Sequence, residues 1–285
     1  MSYYSQLVCP ECKYGFYVDS HFLKCPKCER VYPLEDGIPV FLGIDDRKHW
    51  DMYTLQNYGP RLRCEKKDKF NGEISQGVDA YYSAPLIEND YYVKYIDDWK
   101  TMLDLGSGDG IMSAPLVDKV NEIFCVDPSF IALKRLVRRG KRNMYPINAN
   151  GELLPFPDNF FDGCFCIFLI EHIAKPFKVL REIRRVLKPS GHLVLSTDSK
   201  FYYKYARVII DYLKYGTCVR NDPTHINLMT PGQVRKMLTK ADFRIERENL
   251  RYYMPGGAYR IVPRILREPF LTCLIVQKCC PIKLK

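Results

Sequence analysis

Residues 101–110 read Thr-Met-Leu-Asp-Leu-Gly-Ser-Gly-Asp-Gly. A short apolar strand runs into Gly106, Gly108 and Gly110, and a helix-like stretch follows. Glycines at alternate positions let the backbone turn sharply and come close to a ligand, because no Cβ stands in the way. The start of the following helix offers unpaired N–H groups and the positive end of a dipole, where a carboxylate or polar ligand tail can dock. The spacing is G-x-G-x-G with Asp104 two residues before the first glycine, which is not the dinucleotide fingerprint G-x-G-x-x-G.

Outward from this loop, strand-like and helix-like stretches alternate. Strands are expected at Thr101–Leu105, Glu122–Val126, Gly163–Leu169 and His192–Ser196, and helices at Ile111–Lys119, Phe130–Arg139 and Phe177–Leu187. Lys188-Pro189-Ser190-Gly191 reads as a turn. Strands separated by helices imply βαβ units, hence an α/β fold with a Rossmann-like, doubly wound and mostly parallel sheet. After Asp198 the pattern changes. Phe201–Tyr215 reads as an extra amphipathic helix, and Pro231–Leu238 as a helix opened by Thr230 as N-cap. Phe243–Asn249 and Leu271–Gln277 read as late strands.

At 285 residues, 47% hydrophobic and 27% charged, the chain is long enough for one large domain and a small one. No apolar run reaches the roughly 18–20 residues of a membrane span. The N-terminal Met-Ser-Tyr-Tyr-Ser-Gln lacks a basic segment followed by an apolar one, so no signal peptide is expected. Residues 201–285 hold 16 Lys+Arg against 6 Asp+Glu, while residues 1–200 hold 27 of each, so the net charge of +10 is C-terminal. Such a patch suits RNA, anionic lipid or an anionic substrate, or it is a solvated surface. Peripheral membrane contact is compatible with it. Twelve cysteines without a secretory signal point to a reducing, cytoplasmic setting and to metal ligation over disulfides.

Four of the cysteines form two knuckles, Cys9-Pro-Glu-Cys12 and Cys25-Pro-Lys-Cys28, with twelve residues between them. Four thiolates suit a closed, structural, tetrahedral Zn²⁺ site; a disulfide framework and a redox C-x-x-C are the competing readings. A segment of about 40 residues is too small to hold itself together by core burial alone, so the metal would contribute folding energy. The continuation Glu29-Arg-Val-Tyr-Pro-Leu-Glu-Asp-Gly-Ile-Pro-Val-Phe41 resembles the short zinc-ribbon family whose members activate RNA and protein methyltransferases as separate subunits. The likeness covers roughly residues 5–42 and implies a stabilising and docking role. The expected organisation is a zinc ribbon at 1–45, a connector with one short helix at 46–79, and a large domain at 80–285 with a substrate cap around 200–230.

Residues 78–199 resemble the class I S-adenosylmethionine (SAM) methyltransferases, the family that includes quinone-biosynthesis enzymes. Asp104, Gly106, Ser107, Gly108 and Gly110 match its first motif. Asp127 ends the second strand about twenty residues after Gly106, where the family's acid accepts hydrogen bonds from both ribose hydroxyls. Asn150-Gly-Glu-Leu-Leu-Pro-Phe-Pro-Asp158 resembles the stretch whose first residue, here Asn150 in place of Asp, accepts from the adenine amino group. The fourth strand ends Phe168-Leu-Ile-Glu-His172, and the resemblance sets Phe168 beside the SAM methionine. Leu180-Arg-Glu-Ile-Arg-Arg-Val-Leu-Lys-Pro-Ser-Gly191 matches a structural signature of the same family.

The resemblance implies a SAM-dependent methyltransferase. His172 at the strand end and His225 in Asp222-Pro-Thr-His-Ile-Asn227 have the near-neutral intrinsic pKa of a general base, or they orient loops. Tyr202, Tyr203 and Tyr205 wall a substrate site or pack in the core. The fourth strand is followed by neither Asn/Asp-Pro-Pro-Tyr nor Pro-Cys, which disfavours adenine-amine and cytosine-C5 methylation. Three readings remain: methyl transfer to a small-molecule or lipid-like acceptor, an RNA methyltransferase using the ribbon and the basic C-terminus, and a SAM-binding docking protein without catalysis.

Overall fold

The computed structural model describes residues 3–58, 65–67, 74–76, 92–206, 224–252 and 272–282. The chain divides into two compact units, Met1–Pro157 and Asp158–Lys285.

The first unit opens with a four-stranded antiparallel sheet, β1 (Tyr17–Val18), β2 (Phe22–Lys24), β3 (Val31–Glu35) and β4 (Ile38–Pro39). Leu23 and Ile38 of this sheet are buried, as are Leu7 and Val40 beside it in sequence. Helix α1 (Ile44–Tyr58) follows, then the short antiparallel pair β5 (Glu65–Lys67) and β6 (Ile74–Gln76). Three parallel strands complete the unit: β7 (Thr101–Leu105), β8 (Glu122–Asp127) and β9 (Met144–Asn148), with β8 in the middle. Met102, Leu103, Ile123, Phe124, Cys125 and Val126 are fully buried, so these strands read as continuous apolar runs, as parallel strands covered on both faces do.

Helix α2 (Phe130–Arg138) joins β8 to β9. Ser129 caps it, its hydroxyl accepting from the Ala132 N–H. Asp51 of α1 reinforces this end, accepting from the Ser129 hydroxyl and from the Ile131 N–H. A carboxylate at a helix N-terminus satisfies orphan donors and opposes the dipole.

The N-terminal sheet is joined to the edge of the parallel sheet. Val40 bridges Asn148 in parallel, and the Phe41 N–H donates to the Asn148 carbonyl at 2.8 Å. The Val8 N–H donates to the Pro155 carbonyl, and the Tyr3 ring stacks on Tyr145 with centroids 4.7 Å apart. Thus β9, the outer strand of the three, is met on its open side by one bridge at Asn148, which covers part of that edge.

The second unit holds β10 (Phe161–Ile167), α3 (Pro176–Val186), β11 (Leu187–Asp198), α4 (Pro231–Lys240), β12 (Phe243–Tyr252) and β13 (Thr272–Pro281), with strand order β12-β13-β11-β10. The β10–β11 pair is parallel; β13 runs antiparallel to both β11 and β12. Val179, Leu180, Ile183 and Val186 line the buried face of α3, the spacing of an amphipathic helix. Thr230 and Gln233 form a reciprocal capping box at the start of α4, with Pro231 at its first position.

The expected fold class is the one found, with parallel strands joined through helices. Three local expectations differ. Residues 111–119 form turns and a single 3₁₀ helix, Ala114–Leu116, in place of an α-helix. Pro115 has no N–H to donate, and the Ser113 hydroxyl is drawn to Asp104 at 2.5 Å instead of capping. Lys188–Gly191 falls inside β11 but out of register: Phe161 faces Leu187 while Gly163 faces His192. Tyr202–Ala206 forms one wide π-type turn, and the rest of the expected 201–215 helix lies outside the described residues. Most of the basic C-terminal stretch and of the expected 200–230 cap lies outside them too.

Gly110 belongs to the packing of this frame. Its φ is +78°, and a Cβ there would lie 2.7 Å from Met144 Cε on β9 and 3.0 Å from Leu136 Cδ1 on α2. Gly108 has φ +55°, and a Cβ there would meet nothing within 4 Å. Gly110→Ala therefore combines backbone strain with a clash and should cost about 1–3 kcal/mol of unfolding free energy in a denaturant titration. Gly108→Ala carries the strain alone and should cost less.

Candidate functional site

The two cysteine knuckles have the same backbone form. The Lys13 N–H donates to the Cys9 carbonyl at 2.8 Å, and the Glu29 N–H to the Cys25 carbonyl at 2.9 Å. Lys13 and Glu29, each following the second cysteine of its knuckle, have φ of 57° and 60°. This shared turn brings Sγ of Cys9, Cys12, Cys25 and Cys28 within 4.8 Å of one another. Cys9 and Cys28 sulfurs are 3.6 Å apart and those of Cys12 and Cys25 3.4 Å apart. A disulfide needs about 2.05 Å. Four thiolates at about 2.3 Å from a tetrahedral Zn²⁺ sit about 3.8 Å from each other, so the set suits a metal. With four positions filled by sulfur, none is left for a reacting water.

The glycine loop lies between the ends of β7 and β8. The Gly106 N–H donates to the Val126 carbonyl at 2.8 Å. Asp127, at the end of β8, takes the Gly108 N–H on Oδ2 and the Ser129 N–H on Oδ1, both at 2.8 Å. One carboxylate thus joins the loop to the N-terminus of α2. Arg139, just past the far end of α2, grips the loop from the other side; its guanidinium donates at 2.6 Å to the Asp109 carbonyl and to Asp109 Oδ2.

Burial raises Asp127 to about 6, against the pull of its two backbone N–H donors. Burial likewise pushes Asp104 to about 7, opposed by the Ser113 hydroxyl. Ser107 is buried, and its Oγ has no hydrogen-bond partner. A buried hydroxyl without a partner costs free energy that a bound polar ligand recovers. Together with the open space at Gly108, this orphan oxygen shows that the loop fits a polar ligand.

Asn150 is exposed, and its Oδ1 accepts the Glu152 N–H at 3.0 Å in a local turn. Asn148, which the sequence reading passed over, pairs in register with Asp127 and is fully buried. Its amide donates to the carbonyls of Asp127 and Pro128 at 3.1 and 2.9 Å, fixing the strand end that presents the carboxylate. The available signal was its position as the last residue of a strand beside Asp127.

In the second unit Phe168 follows β10 with φ 52°, and its N–H donates to the Ser196 carbonyl at 2.9 Å. A bulky residue in the left-handed region is a feature of strained, functional strand ends. Beyond it the structure brings together His172 and His225, whose ring centroids lie 4.5 Å apart. The Tyr203 ring lies 4.4 Å from that of His225. His172 Nδ1 and the Thr224 hydroxyl are 2.8 Å apart. Glu171, missed by the sequence reading as a site residue, is fully buried beside them. Its Oε2 accepts from the Thr197 hydroxyl at 3.0 Å. Burial, with the charge of Asp198, raises its carboxyl to about 8. Its signal was an acid directly before His172 at the end of an apolar strand.

Residues 103–195 match the family described as a methyltransferase domain. The ubiquinone/menaquinone biosynthesis C-methyltransferase UbiE of Shewanella sp. (strain W3-18-1) is 31% identical over 154 residues, which cover 51% of this chain and 60% of that protein. The chain thus spans about three fifths of the length of the curated relatives it matches. A SAM-dependent methyltransferase from Aquifex aeolicus superposes with TM-score 0.50 at 17% identity, over 69% of this chain and 91% of that one. A complex containing the Haloferax volcanii Trm112 methyltransferase activator gives TM-score 0.53 at 14% identity, over 84% and 98%. At these identities the likeness speaks for the fold. Among the described residues no helix is long and apolar enough to cross a membrane. The strand–glycine-loop–strand arrangement and the matched segment agree: residues 103–195 resemble a methyltransferase domain, and the fold is the Rossmann-like one of the solved SAM-dependent methyltransferase.

Proposed function

We propose that the protein is a SAM-dependent methyltransferase acting on a small-molecule or lipid-like acceptor, with residues 1–45 as a structural zinc ribbon and residues 80–285 as the catalytic part. The observation that carries this reading is the Asp127–Gly108 hydrogen bond, which holds an acid and an open glycine together inside a segment that matches the methyltransferase domain. The quinone-biosynthesis C-methyltransferases among the relatives support a small-molecule acceptor.

SAM is a sulfonium and supplies an electrophilic methyl group when bound. Asp104, Gly106, Ser107, Gly108 and Gly110 form its loop in this reading. Ser107 Oγ gives it a hydroxyl, and Asp127 accepts from its ribose. Asn150 serves the adenine end and Phe168 the methionine end. Methyl transfer is an in-line displacement, so holding donor and acceptor in one geometry supplies much of the rate. A hydroxyl or amine acceptor must also lose a proton, and His172 and His225 are the groups assigned to that step.

The test is incubation of the purified protein with methyl-labelled SAM and fractionated cell extract. Label in the small-molecule or lipid fraction is expected. Label confined to RNA or protein contradicts the acceptor class, and SAM binding without any transfer contradicts the enzyme.

The raised carboxyl of Asp127 makes cofactor affinity depend on pH. Only the ionised acid accepts two ribose hydroxyls, so the bound form has a lower pKa than the free form and binding releases a proton. Affinity should be full above about pH 6 and fall up to about tenfold per unit below it. Calorimetry across pH 5–8 checks this. Asp127→Asn should weaken binding about 10- to 100-fold and flatten the profile. Replacing Cys25 with Ser should release zinc and lower the melting temperature; metal analysis showing a metal-free wild type would overturn the ribbon assignment.

A further inference from the structure

Beyond the glycine loop and the thiol cluster, one further group of side chains among the described residues has the makings of a metal site. Glu171, His172 and His225 each offer a ligand atom, and these atoms all lie within 4.8 Å of one another. Two features mark the group as more than a chance meeting of polar residues. Glu171 is fully buried, and its Oε1 has no hydrogen-bond partner while Oε2 is held by Thr197. The Thr224 hydroxyl engages Nδ1 of His172 at 2.8 Å. That is the outer hydrogen bond which orients a metal-ligating imidazole, and Thr197 does the same for the carboxylate.

We propose that Glu171, His172 and His225 bind a first-row divalent transition-metal ion, distinct from the ion of the cysteine cluster. Two imidazoles and one carboxylate suit zinc, cobalt, nickel or iron(II), while magnesium and calcium favour all-oxygen sets. Nitrogen and oxygen ligands at about 2.1 Å from a tetrahedral ion lie about 3.4 Å apart, so side-chain rotation would contract the cluster by up to about 1.4 Å. Three protein ligands leave a position open, as catalytic rather than structural sites do. With the ion bound, His172 and His225 serve as ligands in place of bases, and an acceptor hydroxyl or enol at the open position would release its proton to solvent at lower pH, because the ion stabilises the oxyanion. Cation binding stands on the side-chain geometry alone; its use on the acceptor rests on the methyl-transfer reading.

The experiment is a cobalt(II) titration of the metal-stripped full chain without SAM, so that failure of methyl transfer does not enter. Cobalt on the thiolates shows sulfur charge-transfer absorption, whereas cobalt on Glu171 and the histidines shows only d–d bands. The wild type should take up about two equivalents, one of each kind. Glu171→Gln and His225→Ala should each keep the charge-transfer band and lose the other equivalent. The retained thiolate site shows that the metal-binding N-terminal part is intact. Melting of the metal-stripped and cobalt-loaded proteins gives a second readout, in which Glu171→Gln loses part of the wild-type shift. A single equivalent in the wild type, or two in Glu171→Gln, overturns the proposal, as does uptake of magnesium in preference to cobalt.

Discussion

The carboxylate of Asp127 is the joint on which the first unit turns. It takes one backbone N–H from the glycine loop and one from the start of α2, so a single side chain sets the distance between the loop and the helix N-terminus. Charge-assisted bonds of this kind are roughly twice as strong as neutral ones. Burial works against the ionised form and keeps its pKa high. The two effects leave an acid that would gain from further hydrogen-bond donors, such as the ribose hydroxyls of the proposed cofactor. Asn148 anchors the strand end that carries it, and Asp51 of α1 secures the helix start on the other side.

The three glycines share one loop but divide its tasks. Gly110 lets Met144 and Leu136 close on the backbone, so it serves packing. Gly108 keeps space open beside Asp127. Arg139 then fixes the loop through Asp109 with a bidentate grip. The N-terminal sheet contributes at a different point, pairing with β9 through Phe41 and Val40 and stacking Tyr3 on Tyr145. If the four cysteines hold a metal, as proposed, its loss should be felt beyond the N-terminal sheet, at the strand edge that sheet touches.

Much of this was legible in the sequence where local physics decides. Thr101–Leu105 is a strand with the expected bounds, because a buried parallel strand is a plain apolar run. Thr230 with Gln233 announces α4, because a capping box is a local device. The missed parts depend on contacts distant in sequence. The 111–119 helix fails because Ser113 bonds to Asp104, nine residues earlier, and Pro115 cannot donate. The strand β9, Met144–Asn148, went unread because it is short and contains Pro146, which an outer strand tolerates. Glu171 looks unremarkable beside His172 until the fold brings His225 to it, over fifty residues later.

The most direct test is a crystal structure of the full chain with S-adenosylhomocysteine. The account predicts the ribose hydroxyls within hydrogen-bond distance of the Asp127 carboxylate and the ligand lying over Gly106–Gly108, with Ser107 Oγ engaged. A ligand bound elsewhere, or bound with Asp127 still making only its two backbone contacts, would contradict it.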